Sequence, residues 1–254
     1  MAFRTQVLNQ LTSSYDNFTE HYKDVRAFFE IIKVRFSIEE YGVRLACLDG
    51  NRLFSNTNGY MLSDDSSYPF YLWQPSWLGR FYVDAGRVPT GVAVDDCRSQ
   101  DVGPIAFIWT WLGFNDAYVS DAGQPECWFG VADPRPDDPA ERAYDIASTI
   151  WKFFRVERTC EGEAEGWLTG PFLKNSVGCT LNGRWSMRRV PLAELTSFYQ
   201  VEKHVVRPLG EKFTEVAGRA ASPVVRAVAP SRNGHAQGDG ATSLGGLAPP
   251  GGYR

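Results

Sequence analysis

The sequence predicts an α+β fold: one antiparallel or mixed sheet of about six strands, covered by a long N-terminal helix and two later helices. Three observations carry that expectation. Apolar residues recur every three or four positions near residues 8–32, 143–154 and 201–213, which is the helical period. Between these stretches lie runs of β-branched and aromatic residues bounded by Gly, Pro, Asn and Asp, which read as strands. Consecutive strand runs are joined by turn signals rather than by helices, so they pair as hairpins and do not build a doubly wound parallel sheet. The 43% hydrophobic and 22% charged content is that of a globular body, which excludes disorder of the whole chain.

The first helix is marked by Leu8, Leu11, Tyr15, Phe18, Tyr22, Val25, Phe29 and Ile32, a heptad-like seam. Its aromatic members suit a mixed core better than a regular coiled coil, so packing on the chain's own sheet is preferred. Self-assembly through this helix is an alternative. Ser37-Ile-Glu-Glu40 has the form of a capping box and suggests a second helix. Tyr41, Val43, Leu45 and Cys47 alternate as a strand would before the turn residues Asp49-Gly50. Residues 41–54 are therefore open between helix and hairpin.

Ser55–Ser67 reads as loop. Tyr68–Trp73 and Leu78–Asp84 flank Gln74-Pro75-Ser76-Trp77, a turn with Pro in its first central position. A loop over Ala85–Gly103 follows. In Pro104–Phe114 both alternating sets are apolar, which marks a central strand covered on both faces. Glu126–Val131 is its expected antiparallel partner. The eleven-residue connection Asn115–Pro125 exceeds an ordinary hairpin loop and is the candidate functional loop.

Asp138-Pro139 predicts a helix start, with Ala143, Tyr144, Ala147, Ile150, Trp151 and Phe154 as the buried stripe. Asn182-Gly183 predicts a type I′ hairpin between Ser176–Leu181 and Arg184–Val190. Ser197 with Gln200 predicts the cap of a last helix through Val201, Val205, Leu209 and Phe213, kinked at Pro208. After Val216 the chain turns to Gly, Pro, Ala and Ser. The expected organisation is one domain over residues 1–217 and a flexible tail over residues 218–254.

Charge and motifs narrow the function. The whole chain carries −4 and the tail +3, so the body carries −7. A body that acidic argues against nucleic acid as partner, whose affinity rests on cationic contacts to phosphates. Met1–Gln10 lacks the layout of a signal peptide, and the longest apolar run is too short for a membrane span. The five cysteines are odd in number, with no CxxC pair, which fits reduced core thiols and a cytoplasmic location and supports no zinc site. Neither GxxxxGK[ST] nor GxGxxG occurs, and three histidines leave little for a metal site or a Ser-His-Asp triad. No cofactor is expected.

Two resources are left. Trp77, Arg80, Tyr82, Trp111, Trp128 and Arg184 lie on or next to predicted strands. Trp, Tyr and Arg are the residues that recognition surfaces concentrate. The leading expectation is thus a non-enzymatic binding or accessory protein that offers an aromatic and arginine-rich sheet face to a protein or a small anionic ligand. The alternative is a metal-dependent hydrolase or nuclease whose carboxylates Asp84, Asp116 and Glu126 converge on a cation held by oxygen ligands. In a nuclease of that kind a Glu-x-Lys would stand on the second strand, and here Glu126-Cys-Trp128 lacks the lysine.

Overall fold

The structure is a computed structural model that describes residues 23–39, 41–48, 54–55, 77–111, 125–153, 159–173 and 181–220. All of them belong to the unit Met1–Ser222. The predicted strand Tyr68–Trp73, the loop Asn115–Pro125 up to its last residue, the first half of the N-terminal seam and the tail beyond Ala220 lie outside the described residues.

One antiparallel sheet organises the chain. Its strands are β1 (Leu45–Cys47), β2 (Phe54–Ser55), β3 (Trp77–Asp84), β4 (Ile105–Trp111), β5 (Glu126–Pro136), β6 (Gly162–Ala164), β7 (Trp167–Pro171) and β8 (Leu181–Pro191). Seven form the path β1-β3-β4-β5-β8-β7-β6, and β2 pairs alongside β1 on the outer edge of β3. The helices are α1 (23–36), the single turn α2 (Ser99–Val102), α3 (Ala143–Phe153), α4 (Phe198–Val201) and α5 (Arg207–Ala220). The expected α+β class is the one observed.

Two apolar clusters sit on opposite faces of the sheet. On the first, Phe81, Phe107, Trp109, Trp128, Trp185 and Met187 pack with Ile146 and Ile150 of α3. On the second, Leu78, Tyr82, Ile108, Phe129 and Trp167 pack with Val25, Phe29, Ile32 and Phe36 of α1 and with Val205, Leu209 and Phe213 of the C-terminal helical run. Strand alternation assigns the faces, since residues i and i+2 share one side. Helices on both sides explain why β4 is apolar in both registers and buried along its whole length. Full burial of one such Ile, Leu or Phe contributes about 1.5–3 kcal/mol. The described seam residues Val25, Phe29 and Ile32 are therefore committed to the chain's own core.

Several local expectations are corrected. Ser37 does not start a helix. Its hydroxyl donates to Val34 O at 2.7 Å and ends α1, and the strand reading of 45–47 prevails. Trp77 belongs to β3 and not to a turn. The stretch 85–103 is no simple loop: it holds a 3₁₀ turn (Val94–Asp96) and α2, with Cys97 and Val102 buried. Asp138 caps a turn, accepting from Ala140 N at 2.8 Å, and α3 begins only at Ala143.

The largest correction concerns Asn182-Gly183. Both lie inside β8, opposite Arg135 and Pro134 of β5. An eleven-residue register with β5 outweighs the local turn preference. Gly183 is still required, because its φ is +115° and a Cβ there would meet Asp133 O at 2.0 Å. The glycine serves a close approach of two strands, and the true hairpin partner of β8 is β7.

The C-terminal helical run, residues 198–220, follows its capping signal. Ser197 Oγ accepts from Gln200 N at 3.3 Å, as a capping residue does. At Pro208 the ladder changes: residues Glu202–Val206 form a π-helical segment between α4 and α5. A proline ring clashes with the carbonyl four residues back and offers no N–H, and a widened turn relieves both problems. α5 continues past Ala217 to Ala220. Among the described residues no helix is long and apolar enough to cross a membrane.

Candidate functional site

Five of the six predicted binding residues are core. Trp77, Trp111 and Trp128 face α3, with ring centroids of Trp111 and Trp128 5.1 Å apart. Arg80 and Tyr82 point to the other face, as alternation along β3 dictates. Arg80 is 1% exposed, yet its charge is met. Nη1 donates to Phe29 O at 3.1 Å, Nη2 to Glu30 Oε1 at 2.8 Å, and the guanidinium lies 5.7 Å from the Phe29 ring centroid. The hydrogen bond from Arg80 holds the Glu30 carboxyl below its ordinary range. Burial pushes the Tyr82 phenol well up and raises the Cys47 thiol to about 11, so both stay neutral. These residues form no common surface: three serve one layer of the core and two the other.

The carboxylates are dispersed as well. Asp84 ends β3, accepting from Gly86 N at 2.8 Å and lying 3.6 Å from Arg87 Nε. Glu126 starts β5 opposite Trp111, which is itself opposite Trp77 at the other end of β3. Seven residues of strand at about 3.4 Å each separate those ends, roughly 24 Å. Glu126 is buried and accepts from Trp128 Nε1 at 2.7 Å, which accounts for its polarity by local structure. Asp116 lies outside the described residues. Among the described residues no group of three or more His, Cys, Asp or Glu side chains is placed to hold a metal ion.

Arg184 alone of the six is exposed, at 59%. It stands where the helical cover of the second face thins out. There a pocket of about 340 Å³ opens between β5, β7, β8 and α5, lined by Val131, Asp133, Arg135, Thr169, Arg184, Ser186, Lys212 and Val216. The sheet register lays these out in rows. Ser186 of β8 is opposite both Val131 and Thr169, and Arg184 is opposite Asp133. Arg135 is two residues beyond Asp133 on the same face. Lys212 reaches in from α5 and lies 5.6 Å from the Trp167 ring centroid, and Arg188 lies 4.7 Å from the same ring.

Among the described residues, three cations and one carboxylate therefore share one pocket with two hydroxyls. Each cation also has one carboxylate contact: Arg135 with Asp133 at 3.0 Å, Arg184 with Glu161 at 2.6 Å, Lys212 with Glu215 at 2.9 Å. The cations of the Arg135 and Arg184 pairs are exposed, and pairs of that kind are worth about 0–1 kcal/mol, so a ligand can replace them cheaply; Lys212, at 15% exposed, is more enclosed. Apart from Arg184 these residues escaped the sequence reading. The signal was present: Arg184 and Ser186 alternate with buried Trp185 and Met187, and Asp133 and Arg135 follow the apolar run 127–132 of β5.

A second hollow of about 590 Å³ is largely apolar, with Asp24, Thr110, Thr196 and Ser197 also in its lining. It lies between α1 (Val25, Phe28, Ile31) and the segment Leu192–Val201. Phe198 in its wall is 52% exposed and Tyr199 beside it 66%.

No family model, curated protein or solved structure matches this chain.

Proposed function

We propose that the chain is a non-enzymatic binding or accessory protein whose ligand is a small anion held in the pocket beneath α5. The observation that carries this reading is the lining itself: among the described residues, Arg135, Arg184 and Lys212 stand against the carboxylate of Asp133, with Thr169 and Ser186 as further hydrogen-bonding groups. Arginine offers a planar fork for oxyanions and lysine a point charge, so the set suits an anion with several oxygens. A volume near 340 Å³ is at the small end of ligand sites, which fits a small molecule. A cytoplasmic location belongs to the same proposal. The described cysteines Cys47, Cys97, Cys127 and Cys160 are free thiols, as in a reducing compartment.

Thermal unfolding with a panel of small anions at constant ionic strength tests the reading. A ligand present at 100 times its Kd should stabilise by about 2.7 kcal/mol, which raises the Tm by roughly 5–10 °C. Arg184→Ala should remove most of that rise. If no anion exceeds the effect of inert salt, the reading is wrong.

A protein partner is the second reading, favoured by the exposed Phe198 and Tyr199 beside the apolar hollow. Replacing both with serine should abolish any self-association or partner binding and leave anion binding intact. Unchanged association would remove this surface from consideration.

A further inference from the structure

We propose that the ligand of this pocket is a phosphate monoester with at least one free hydroxyl, a deeper claim that rests on the anion-binding reading above. The reason is an exchange. Arg184 already contacts Glu161, Arg135 contacts Asp133, and Lys212 contacts Glu215. A ligand carboxylate would replace one carboxylate with another and gain little. A phosphoryl group carries nearly two charges and three strong acceptor oxygens at neutral pH. One such group can engage Arg184 and Lys212 together, from strand and helix, while the hydroxyls of Ser186 and Thr169, neighbours across β8 and β7, donate to its remaining oxygens. Asp133 then has a role that an anion site alone does not give it. Opposite Arg184 in the register, its carboxylate is an acceptor on the same wall. It repels a second anionic group and accepts from a ligand hydroxyl, which favours a sugar or polyol phosphate over a ligand that is anionic throughout.

Titration calorimetry with glycerol 3-phosphate and with glycerate, at pH 7 and constant ionic strength, tests this. Glycerol 3-phosphate should bind at least about tenfold more tightly than glycerate. Arg184→Ala and Lys212→Ala should each weaken it by about tenfold or more, the size expected for loss of one hydrogen bond to a charged group. Because the second phosphoryl proton has a pKa near 6, affinity should fall about tenfold from pH 7 to pH 5. The charged groups facing the ligand are Arg184 of β8, Asp133 and Arg135 of β5 and Lys212 of α5, with Glu161 and Glu215 behind them. Inorganic sulfate, dianionic across that range, reports any change in these protein groups. Equal affinity for glycerate and glycerol 3-phosphate would overturn the phosphoryl claim and leave the anion reading standing. Binding of neither compound, with no anion stabilising the fold, would overturn both. Binding indifferent to Arg184→Ala and Lys212→Ala would place the ligand elsewhere and overturn the site.

Discussion

Two arginines of the sheet have opposite fates. Arg80 on β3 sits 1% exposed under α1, its guanidinium held by a backbone carbonyl, a carboxylate and an aromatic ring. Three strands along, Arg184 on β8 stands in water with a single exposed carboxylate partner. Both belong to strands with alternating apolar neighbours, and both face the same side of the sheet. What differs is the cover. Over β3 and β4 the second face meets α1 and the C-terminal helical run, and everything there is recruited into the core. Over the far ends of β5, β7 and β8 the described cover is Lys212 and Val216 of α5, and polar side chains face a pocket. Burial by other elements turns one arginine into a structural post and leaves the other available to a ligand.

The most direct way to break this comparison is Arg80→Ala. It should cost about 2–4 kcal/mol, from the cavity and from loss of the buried hydrogen bond that Arg80 adds at Phe29 O. Glu30 is half exposed and can turn to water, which keeps the loss below that of a fully buried pair. Chemical denaturation measures it, and Arg80→Met should recover the packing part. A loss under 0.5 kcal/mol would show that Arg80 is not a post.

Trp128→Phe sharpens the account of Glu126. It leaves a buried carboxylate without its indole donor and should cost about 1–3 kcal/mol. Glu126→Gln should cost less, because an amide oxygen can accept the same bond. Gly183→Ala should cost about 1–3 kcal/mol as its Cβ drives β8 from the Asp133 carbonyl. The same variant should weaken anion binding, since Arg184 is the next residue. Denaturation together with a binding assay separates the two effects.

At the small end, Arg184→Ala should change stability by no more than about 0.5 kcal/mol, the usual range for an exposed site. Smaller still is a pH effect at Glu30. Its folded pKa is depressed, so its contribution is present above the ordinary value of 4.5 and fades as pH falls through the lower folded value. The contribution should vanish in Arg80→Met. A stability–pH slope below 4.5 identical in the two proteins would contradict the assignment.

Elements with a long apolar period were legible in the sequence. The spacing of Val25, Phe29 and Ile32, the doubly apolar β4 and its partner β5, and the Ser197 cap were all readable, because burial and capping follow from local chemistry. Asn182-Gly183 misled, because the pairing of β8 with β5 and β7 is decided by partners fifty and fifteen residues away in the chain, roughly, and not by the dipeptide. The site was hardly legible. Aromatic and arginine content marks a recognition surface and a large core equally well, and only the placement of helices separates them. Lys212 and Thr169 meet Arg184 through tertiary packing that no spacing encodes.

Backbone amide shifts mapped during titration with inorganic phosphate show where on the protein the anion sits. Changes should cluster at Thr169, Arg184, Ser186 and Lys212, with Arg80, Phe107 and Trp109 unmoved. Changes centred on Val25, Leu195 and Phe198, or no saturable changes anywhere, would contradict an anion site beneath α5.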